Sequence, residues 1–285
     1  MLRGSIHRVN PAPRRWPGGA GWGALAGGRR RVQAAGMEAH LILVVAGLLA
    51  GAMNAAAGGG SFVTIPAMVF VGLPSVVANT SSTVALLPGT LASAWAWRRD
   101  FTSFEGIPLR ILVLISLGGG LVGAVLLLVT PQRAFDDILP WLLLAGTLAF
   151  AFGRRIGEAL RRRVRIGPGV LLGAQVLLSV YAGYFGGGVG IMMMAVWSLL
   201  GEVDIKAMSA GRTLLVSAAN AVAVLCFALA GPVRWPETLV MLVAAVIGGY
   251  FGAALARRMP APWLRGFVVA YSTAMTAAFF WRAWA

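Results

Sequence analysis

The sequence predicts an all-α, polytopic integral membrane protein made of two repeats, and three observations carry that reading. Hydrophobic residues make up 59% of the 285 positions and charged residues only 12%, against about 45–50% and about 25% in soluble domains. Apolar runs of spanning length recur from one end of the chain to the other. A glycine-rich motif and its surroundings repeat at a nearly constant offset. At about 20 apolar residues per span, a chain of this length keeps little for an extramembrane domain, so a water-soluble enzyme is excluded.

Residues 1–36 are rich in Arg, Gly and Pro and lack the continuous apolar stretch of a signal peptide. They are expected to form a disordered basic tail. Because Met37 leads directly into EAHLILVVAGLLAG, that tail is also expected to be dispensable, with Met37 as an alternative start. Beyond it, apolar runs at 39–57, 76–97, 107–129, 138–153, 170–185, 207–230, 238–256 and 263–281 are long enough, or nearly so, to span. Runs 62–73 and 189–200 are only about 12 residues and suit half-helices, the broken segments that mark binding sites in transporters.

The two short runs correspond. AGGGSFVTIPAMVFVGL (57–73) aligns with FGGGVGIMMMAVWSLLG (185–201), setting Gly58, Gly59 and Gly60 over Gly186, Gly187 and Gly188 at an offset of 128. Thr83 falls on Thr213 at an offset of 130, and GGLVGA (119–124) on GGYFGA (248–253) at 129. The chain therefore divides into a first repeat, 37–153, an Arg-rich cytoplasmic loop, 154–167, and a second repeat, 168–285. If each repeat is a Gly-broken re-entrant hairpin followed by about three spans, the second is inverted relative to the first. That arrangement collects thirteen basic residues on one side, including Arg98, Arg99, Arg110, Lys206 and the six arginines of 154–165, against Arg133, Arg234 and Arg282 opposite. The alternative of two parallel sets of four spans divides them eleven to five, so the positive-inside rule favours inversion. The same rule accounts for the net charge of +15: the charges form short basic loops between apolar runs, and no separate basic domain exists to bind nucleic acid.

Each glycine triplet ends one helix and starts another, and a helix start presents unpaired N–H groups and a positive dipole end in a low-dielectric setting. Gly59, Gly60 and Ser61, with Gly187, Gly188 and Gly190, are accordingly candidate donors to a small oxyanion. The competing reading is close helix packing, which small residues also serve in lipid. The run ANTSSTVALLPG (78–89) adds Asn79, Thr80, Ser82 and Thr83, polar side chains too many to face lipid together, although helix capping explains part of the run. The corresponding stretch KAMSAGRTLLVSAAN carries Lys206, Ser209, Arg212, Thr213 and Asn220. Arg212 sits within an apolar segment, where a charge marks either a functional site or a snorkelling side chain.

No carboxylate lies in mid-span, so a proton relay of buried acids is not expected. A single cysteine, Cys226, and two histidines, His7 and His40, offer no disulfide within the chain, iron–sulfur cluster or zinc site, and no metal or cofactor is expected. The absence of a G-x-S-x-G elbow, an H-E-x-x-H pair and a P-loop removes the motifs of an intramembrane enzyme or an ATP-driven pump.

Two stretches carry a family resemblance. GLLAGAMNAAAGGGSFVTIPAMVFVGLPSVVANTSSTVALLPG (47–89), and GYFGGGVGIMMMAVWSLLG (183–201) followed by SAGRTLLVSAANAVAVLCFALAGPVRWP (209–236), resemble the two signatures of the TauE/SafE family of sulfite and organosulfur-anion exporters. The likeness covers nearly all of 40–285. One position departs from it: where the family's second half often reads Asn-Ala-x-Lys, this chain has Ser209 and Arg212, which keeps the positive charge. The resemblance implies export of a small sulfur-containing anion, such as sulfite or sulfoacetate, across the inner (plasma) membrane. The expected partners are that anion, the lipid bilayer and, as a further candidate, a second copy of the chain in a homodimer. A non-transporting membrane assembly subunit and an anion channel are the alternatives.

Overall fold

The computed structural model describes residues 21–102, 107–161, 167–200, 205–231, 233–256 and 261–284. They fall into two compact units, 1–39 and 40–285; the first contributes the beginning of helix α1, and residues 1–20 of the expected tail lie outside the described residues. All the regular structure described is helical. The elements are α1 (Gly21–Ala57), α2 (Ser61–Phe70), α3 (Ser75–Ala96), a 3₁₀ turn (Arg98–Asp100), α4 (Leu109–Val129), α5 (Gln132–Arg161), α6 (Pro168–Tyr184), α7 (Val189–Trp197), a second 3₁₀ turn (Ser198–Leu200), α8 (Ile205–Ala230), α9 (Trp235–Ala256) and α10 (Ala261–Trp284). α5 continues through Arg161, into the stretch expected as the central loop; residues 162–166 of that loop lie outside the described residues.

Five of these helices are long and apolar enough to cross a membrane, over Met37–Ala55, Leu109–Val129, Gln132–Gly153, Lys206–Ala230 and Trp235–Gly252. Large apolar side chains such as Leu114, Val129 and Leu229 stand exposed on their outer faces, an arrangement that suits lipid and would be a liability in water. By contrast α2 and α7 have 10 and 9 residues. At about 1.5 Å per residue each covers roughly half of an apolar layer about 30 Å thick.

The breaks that shorten them are made by glycine. Gly58 (φ +79°), Gly186 (φ +77°) and Gly188 (φ +76°) occupy left-handed backbone that other residues enter only at a cost. Ahead of the first break the Gly58 N–H donates to the carbonyls of Met53 (3.2 Å) and Asn54 (3.1 Å); ahead of the second, the N–H groups of Phe185 and Gly186 both donate to Tyr181 (2.9 and 3.1 Å). The chain reverses at each. Gly60 lies against Ala50 and Asn54, so α2 folds back along α1.

Glycines also set how the long helices pack. Gly119 meets Ser179, Gly120 meets Gly183, and Gly123 meets Val180 and Tyr184, all so closely that a Cβ would overlap its neighbour. The register rises together, so α4 and α6 run parallel. α1 and α9 do the same, with Gly47 at Ala244, Gly51 at Ala245 and Gly249, and Gly252 at Ala52. Contacts of this kind replace the hydrophobic drive that lipid does not supply. At one end the starts of α3 and α5 are tied by Ser75 Oγ donating to Asp136 Oδ1 (2.5 Å) and Gln132 Nε2 donating to Ser75 Oγ (2.8 Å). The Arg234 N–H, just before α9, donates to Ser81 Oγ in the first third of α3 (3.1 Å). The end of α8 and the start of α3 are therefore level, and α3 and α8 run antiparallel.

The pairings come in twos. α4 packs on α6 and α8, while α9 packs on α1 and α3; α5 packs on α7, and α10 on α2. Two further contacts join corresponding helices directly. In α3–α8, Ser217 Oγ donates to the Thr90 carbonyl (3.1 Å). In α5–α10, the hydroxyls of Thr147 and Thr276 are 3.1 Å apart.

Candidate functional site

A polar cavity of about 110 Å³ lies where the two glycine breaks approach the middles of α3 and α8. From the first break it is lined by Asn54, Ala55, Gly58 and Ser61, and from the second by Gly186, Val189 and Gly190. α3 contributes Thr83, Leu86, Thr90 and Ser93, and the residue that caps it, Trp97, continues the stripe, spaced by three and four residues along one helix face. α8 contributes Arg212, Thr213, Val216 and Asn220. A larger groove of about 600 Å³ between α1, α2 and α10 is apolar apart from Tyr271 and Arg282 and has no converging polar groups.

The walls of the small cavity differ in hydrogen-bonding character. The first amides bonded within the short helices are Phe62, to Gly59, and Ile191, to Gly188, each at 3.1 Å. The amides just before them, at Ser61, Val189 and Gly190, are helix-start donors at the lining. Arg212 is the one charged lining residue among those described, and its side chain lies over Gly190. The hydroxyls of Thr83, Thr90, Ser93 and Thr213 all donate into their own helices, to the carbonyls of Asn79 (2.9 Å), Leu87 (2.8 Å), Gly89 (2.9 Å) and Ser209 (2.7 Å). Asn220 Oδ1, beside Gly186, is buried without a hydrogen-bond partner.

Of the residues expected at the site, Ser61, Thr83, Gly190 and Arg212 converge on this cavity. The inner members of the glycine triplets pack instead. Gly59 lies against the Phe150 ring, Gly60 against Ala50, Asn54 and Leu86, Gly187 against the Phe185 ring, and Gly188 against Gly146. Asn79 Nδ2 donates to the carbonyl of Tyr184 (2.8 Å), holding α3 to the last turn of α6. Thr80 donates to Val77 (3.0 Å), Ser82 shares a hydrogen bond with Thr64 on α2, and the Ser209 carbonyl receives Thr213. These eight residues lie off the lining and shape the frame around it.

Thr213 and Asn220, polar residues of the same stretch as Arg212, also line it, whereas Asn54, Thr90, Ser93 and Trp97 line it and were not expected there. The missed signal is the same offset that aligned the threonines. Thr90 and Asn220 are 130 apart like Thr83 and Thr213, and both sit seven residues further on, which returns to the same helix face.

The model of the sulfite exporter TauE/SafE family matches residues 43–279. A probable membrane transporter protein of Haemophilus influenzae is 31% identical over 85% of this chain and 94% of its own length. The probable membrane transporter protein ORF9 of a Sinorhizobium species is 30% identical over 83% and 91%, and the probable membrane transporter protein YfcA of Escherichia coli K12 is 28% identical over 83% and 87%. No solved structure matches the chain. The chain belongs to the TauE/SafE family of membrane transporters.

Proposed function

We propose that the protein exports a small sulfur-containing oxyanion, such as sulfite or sulfoacetate, across the inner membrane, and that the anion binds in the cavity between the two glycine breaks. The observation that carries this reading is Arg212: the one charged lining residue among those described, its side chain over Gly190 at the second helix start, in a cavity that Ser61 of the first also lines. A lone arginine in a membrane interior costs about 2.5–3.5 kcal/mol on insertion scales, and a bound anion would offset that cost with charge-assisted hydrogen bonds. Ser61, Val189 and Gly190 amides supply further donors, while Thr83, Thr90, Thr213 and Asn220 shape the pocket.

The architecture that serves this task is a pair of inverted repeats, each a re-entrant hairpin (α1–α2 or α6–α7) followed by three spans. The antiparallel run of α3 and α8, the parallel neighbours α1 and α9, and the helix pairings that come in twos all support it. So does the Thr147–Thr276 contact, which joins residues 129 apart, the repeat's own offset. The end that gathers Arg98, Arg99, Arg110 and Lys206 is the cytoplasmic one by the positive-inside rule. Ser93 and Trp97 extend the lining toward that end. Their repeat counterparts at an offset of 130, Ala223 and Phe227, are fully buried. This difference supports a cavity reached from the cytoplasmic side, the loading state of an exporter working by alternating access.

Energetically an anion leaving a negative-inside cell gains about 2.3 kcal/mol per charge per 100 mV, so uniport needs no buried acid. Purified protein in proteoliposomes, loaded with sulfite and clamped at imposed potentials, tests this. Efflux should accelerate when the exterior is made positive. Sulfite efflux equal to that of protein-free vesicles at every potential would refute the reading.

A further inference from the structure

We propose that the groove between α1, α2 and α10 seats one anionic phospholipid, with its phosphate paired to Arg282 and an acyl chain laid between α2 and α10. The inference does not depend on which anion is exported. It starts from a place where the two halves correspond in sequence and differ in packing.

α5 and α10 correspond at an offset of 129, the one that pairs Thr147 with Thr276, and each lies on a half-helix, α5 on α7 and α10 on α2. Glycine brings α5 close. A Cβ at Gly153 would meet the Ile191 side chain at 3.3 Å, one at Gly157 would meet Ser198 Oγ at 2.6 Å, and one at Gly146 the Gly187 carbonyl at 3.3 Å. At the same offset Met275 stands for Gly146 and Arg282 for Gly153. Both line the groove of about 600 Å³ that opens between α10 and α2. Side chains thus stand on α10 where α5 has none, and Leu41, Val45 and Phe70 of the groove's lining are exposed. In a bilayer the solvent that meets them is lipid.

Charge, level and length select an anionic phospholipid. Arg282 is the one charged residue of the lining, and it has no ion-pair partner among the described residues. A guanidinium pairs with a phosphate through two parallel hydrogen bonds, whereas the chain's own first 20 residues carry arginines and no acid, and would be repelled. Arg282 lies in the last turn of α10 between Trp281 and Trp284, both exposed, and tryptophans of that kind mark the headgroup level of a membrane. From there the α10 wall of the groove runs back through Phe279, Ala278 and Met275 to Tyr271, about 16 Å along the helix. One leaflet's share of the hydrocarbon layer is about 15 Å, so a single acyl chain fits the length. Seated there, the lipid braces α2 as α5 braces α7, and with α2 it braces Ser61 at the cavity.

The test is photocrosslinking of the purified full-length protein in detergent with a phosphatidylglycerol that carries a diazirine on one acyl chain, followed by peptide mapping. Adducts should concentrate on α2 and on the Tyr271–Phe279 stretch of α10. Unlabelled phosphatidylglycerol should displace them about fivefold better than phosphatidylcholine, the preference that one arginine gives for an anionic lipid. Arg282→Gln should keep the adducts and lose that preference, while Arg98→Gln, at the other basic end, should change neither. Ala278→Trp fills the groove from an exposed position and should lose the groove adducts while those on the outer face of α4 persist. If Ala278→Trp does not fold, the wild-type competition and Arg282→Gln decide alone. Adducts spread evenly over the outward faces, equal displacement by the two lipids, or a preference that survives Arg282→Gln overturns the inference. So do crosslinks between two copies of the chain across the groove in place of lipid adducts, which would assign it to a dimer. Each of these leaves anion transport standing, because the readout is the lipid and not the efflux.

Discussion

The two halves of the cavity wall descend from the same pattern and differ where it matters. Gly58 answers Gly186, Ser61 answers Val189, Thr83 answers Thr213, Leu86 answers Val216 and Thr90 answers Asn220, all at offsets of 128 to 130, and all ten line the cavity. The symmetry fails at the six other lining residues, Asn54, Ala55, Ser93, Trp97, Gly190 and Arg212. Arg212 stands opposite Ser82, and Ser93 and Trp97 line the cavity while Ala223 and Phe227 are buried to zero exposure. The shared positions line the pocket from both sides; the unshared ones include its one charge among the described residues. Under the inverted-repeat proposal, opening one end would repeat on one half the packing that the other half had when closed.

The largest expected effect comes from breaking the charge asymmetry. Arg212→Gln should lower sulfite efflux by about 100-fold or more at matched expression, since truncating one partner of a desolvated charge pair costs about 2–5 kcal/mol. Arg212→Lys should keep part of the rate, because the charge survives without the planar fork. Ser82→Ala, the same deletion of polarity in the other half, should stay within about threefold of wild type, as the loss of one neutral hydrogen bond does. Equal defects at Arg212 and Ser82 would show that both halves serve the frame alone.

Much of this was legible before any coordinates. The glycine triplets set the boundaries of α2 and α7 because other residues enter the left-handed backbone at Gly58, Gly186 and Gly188 only at a cost. Arg212 stood out because a charge in an apolar run needs a reason. What the sequence could not separate was which glycine of each triplet faces the cavity. Gly59 and Gly187 look identical to Gly58 and Gly186 in a string of letters, and only the turn decides that the first pair meets aromatic rings. The polar run misled for a similar reason. Asn79, Thr80 and Ser82 are on faces of α3 that meet other helices, and a run of adjacent letters wraps around a helix, whereas a lining recurs every three or four residues.

The second difference can be probed by access. In a Cys226→Ser background, which removes the chain's one native thiol, Ser93→Cys should react with a membrane-impermeant maleimide applied from the cytoplasmic side, and Ala223→Cys should react at least about tenfold more slowly from either side. Partial opening free energies of a few kcal/mol suffice for such a ratio. Saturating sulfite should raise the reactivity of Ala223→Cys from outside if the halves exchange roles. Fast labelling of both cysteines at rest would abolish the distinction between an open end and a sealed one.

A smaller effect is expected at the breaks, where the comparison is between glycines. Gly188→Ala forces a side chain into left-handed backbone (φ +76°) and toward the Gly146 backbone at 3.1 Å. Its counterpart Gly60 has helical backbone (φ −56°) but meets the Ala50 carbonyl at 2.8 Å. Gly188→Ala should cost about 1–2 kcal/mol from the backbone alone, plus the crowding, read as a lower melting temperature in detergent. Gly60→Ala pays only for crowding and should melt closer to wild type; the reverse order would mean that packing, and not backbone handedness, fixes the second break.

The smallest effect lies where the halves meet. Thr147 and Thr276 are each other's repeat counterparts and share one hydrogen bond, 3.1 Å between hydroxyls. Thr276 also donates to the carbonyl of Ser272 (2.7 Å), so Thr276 Oγ1 can accept from Thr147 while it donates along its own helix. Thr147→Val removes that donor but leaves Thr276 its intrahelical partner, and should cost about 0.5–1 kcal/mol. Thr276→Val leaves Thr147, buried at 5% exposure, without its acceptor and should cost more, about 1–2 kcal/mol. The double variant replaces both hydroxyls by methyl groups of similar shape and should recover most of the loss, because no buried donor is then unpaired. Melting temperatures of the two single variants and the double variant give the coupling directly. Strictly additive costs would mean that the two threonines do not interact, and that the contact between the halves is carried by packing alone.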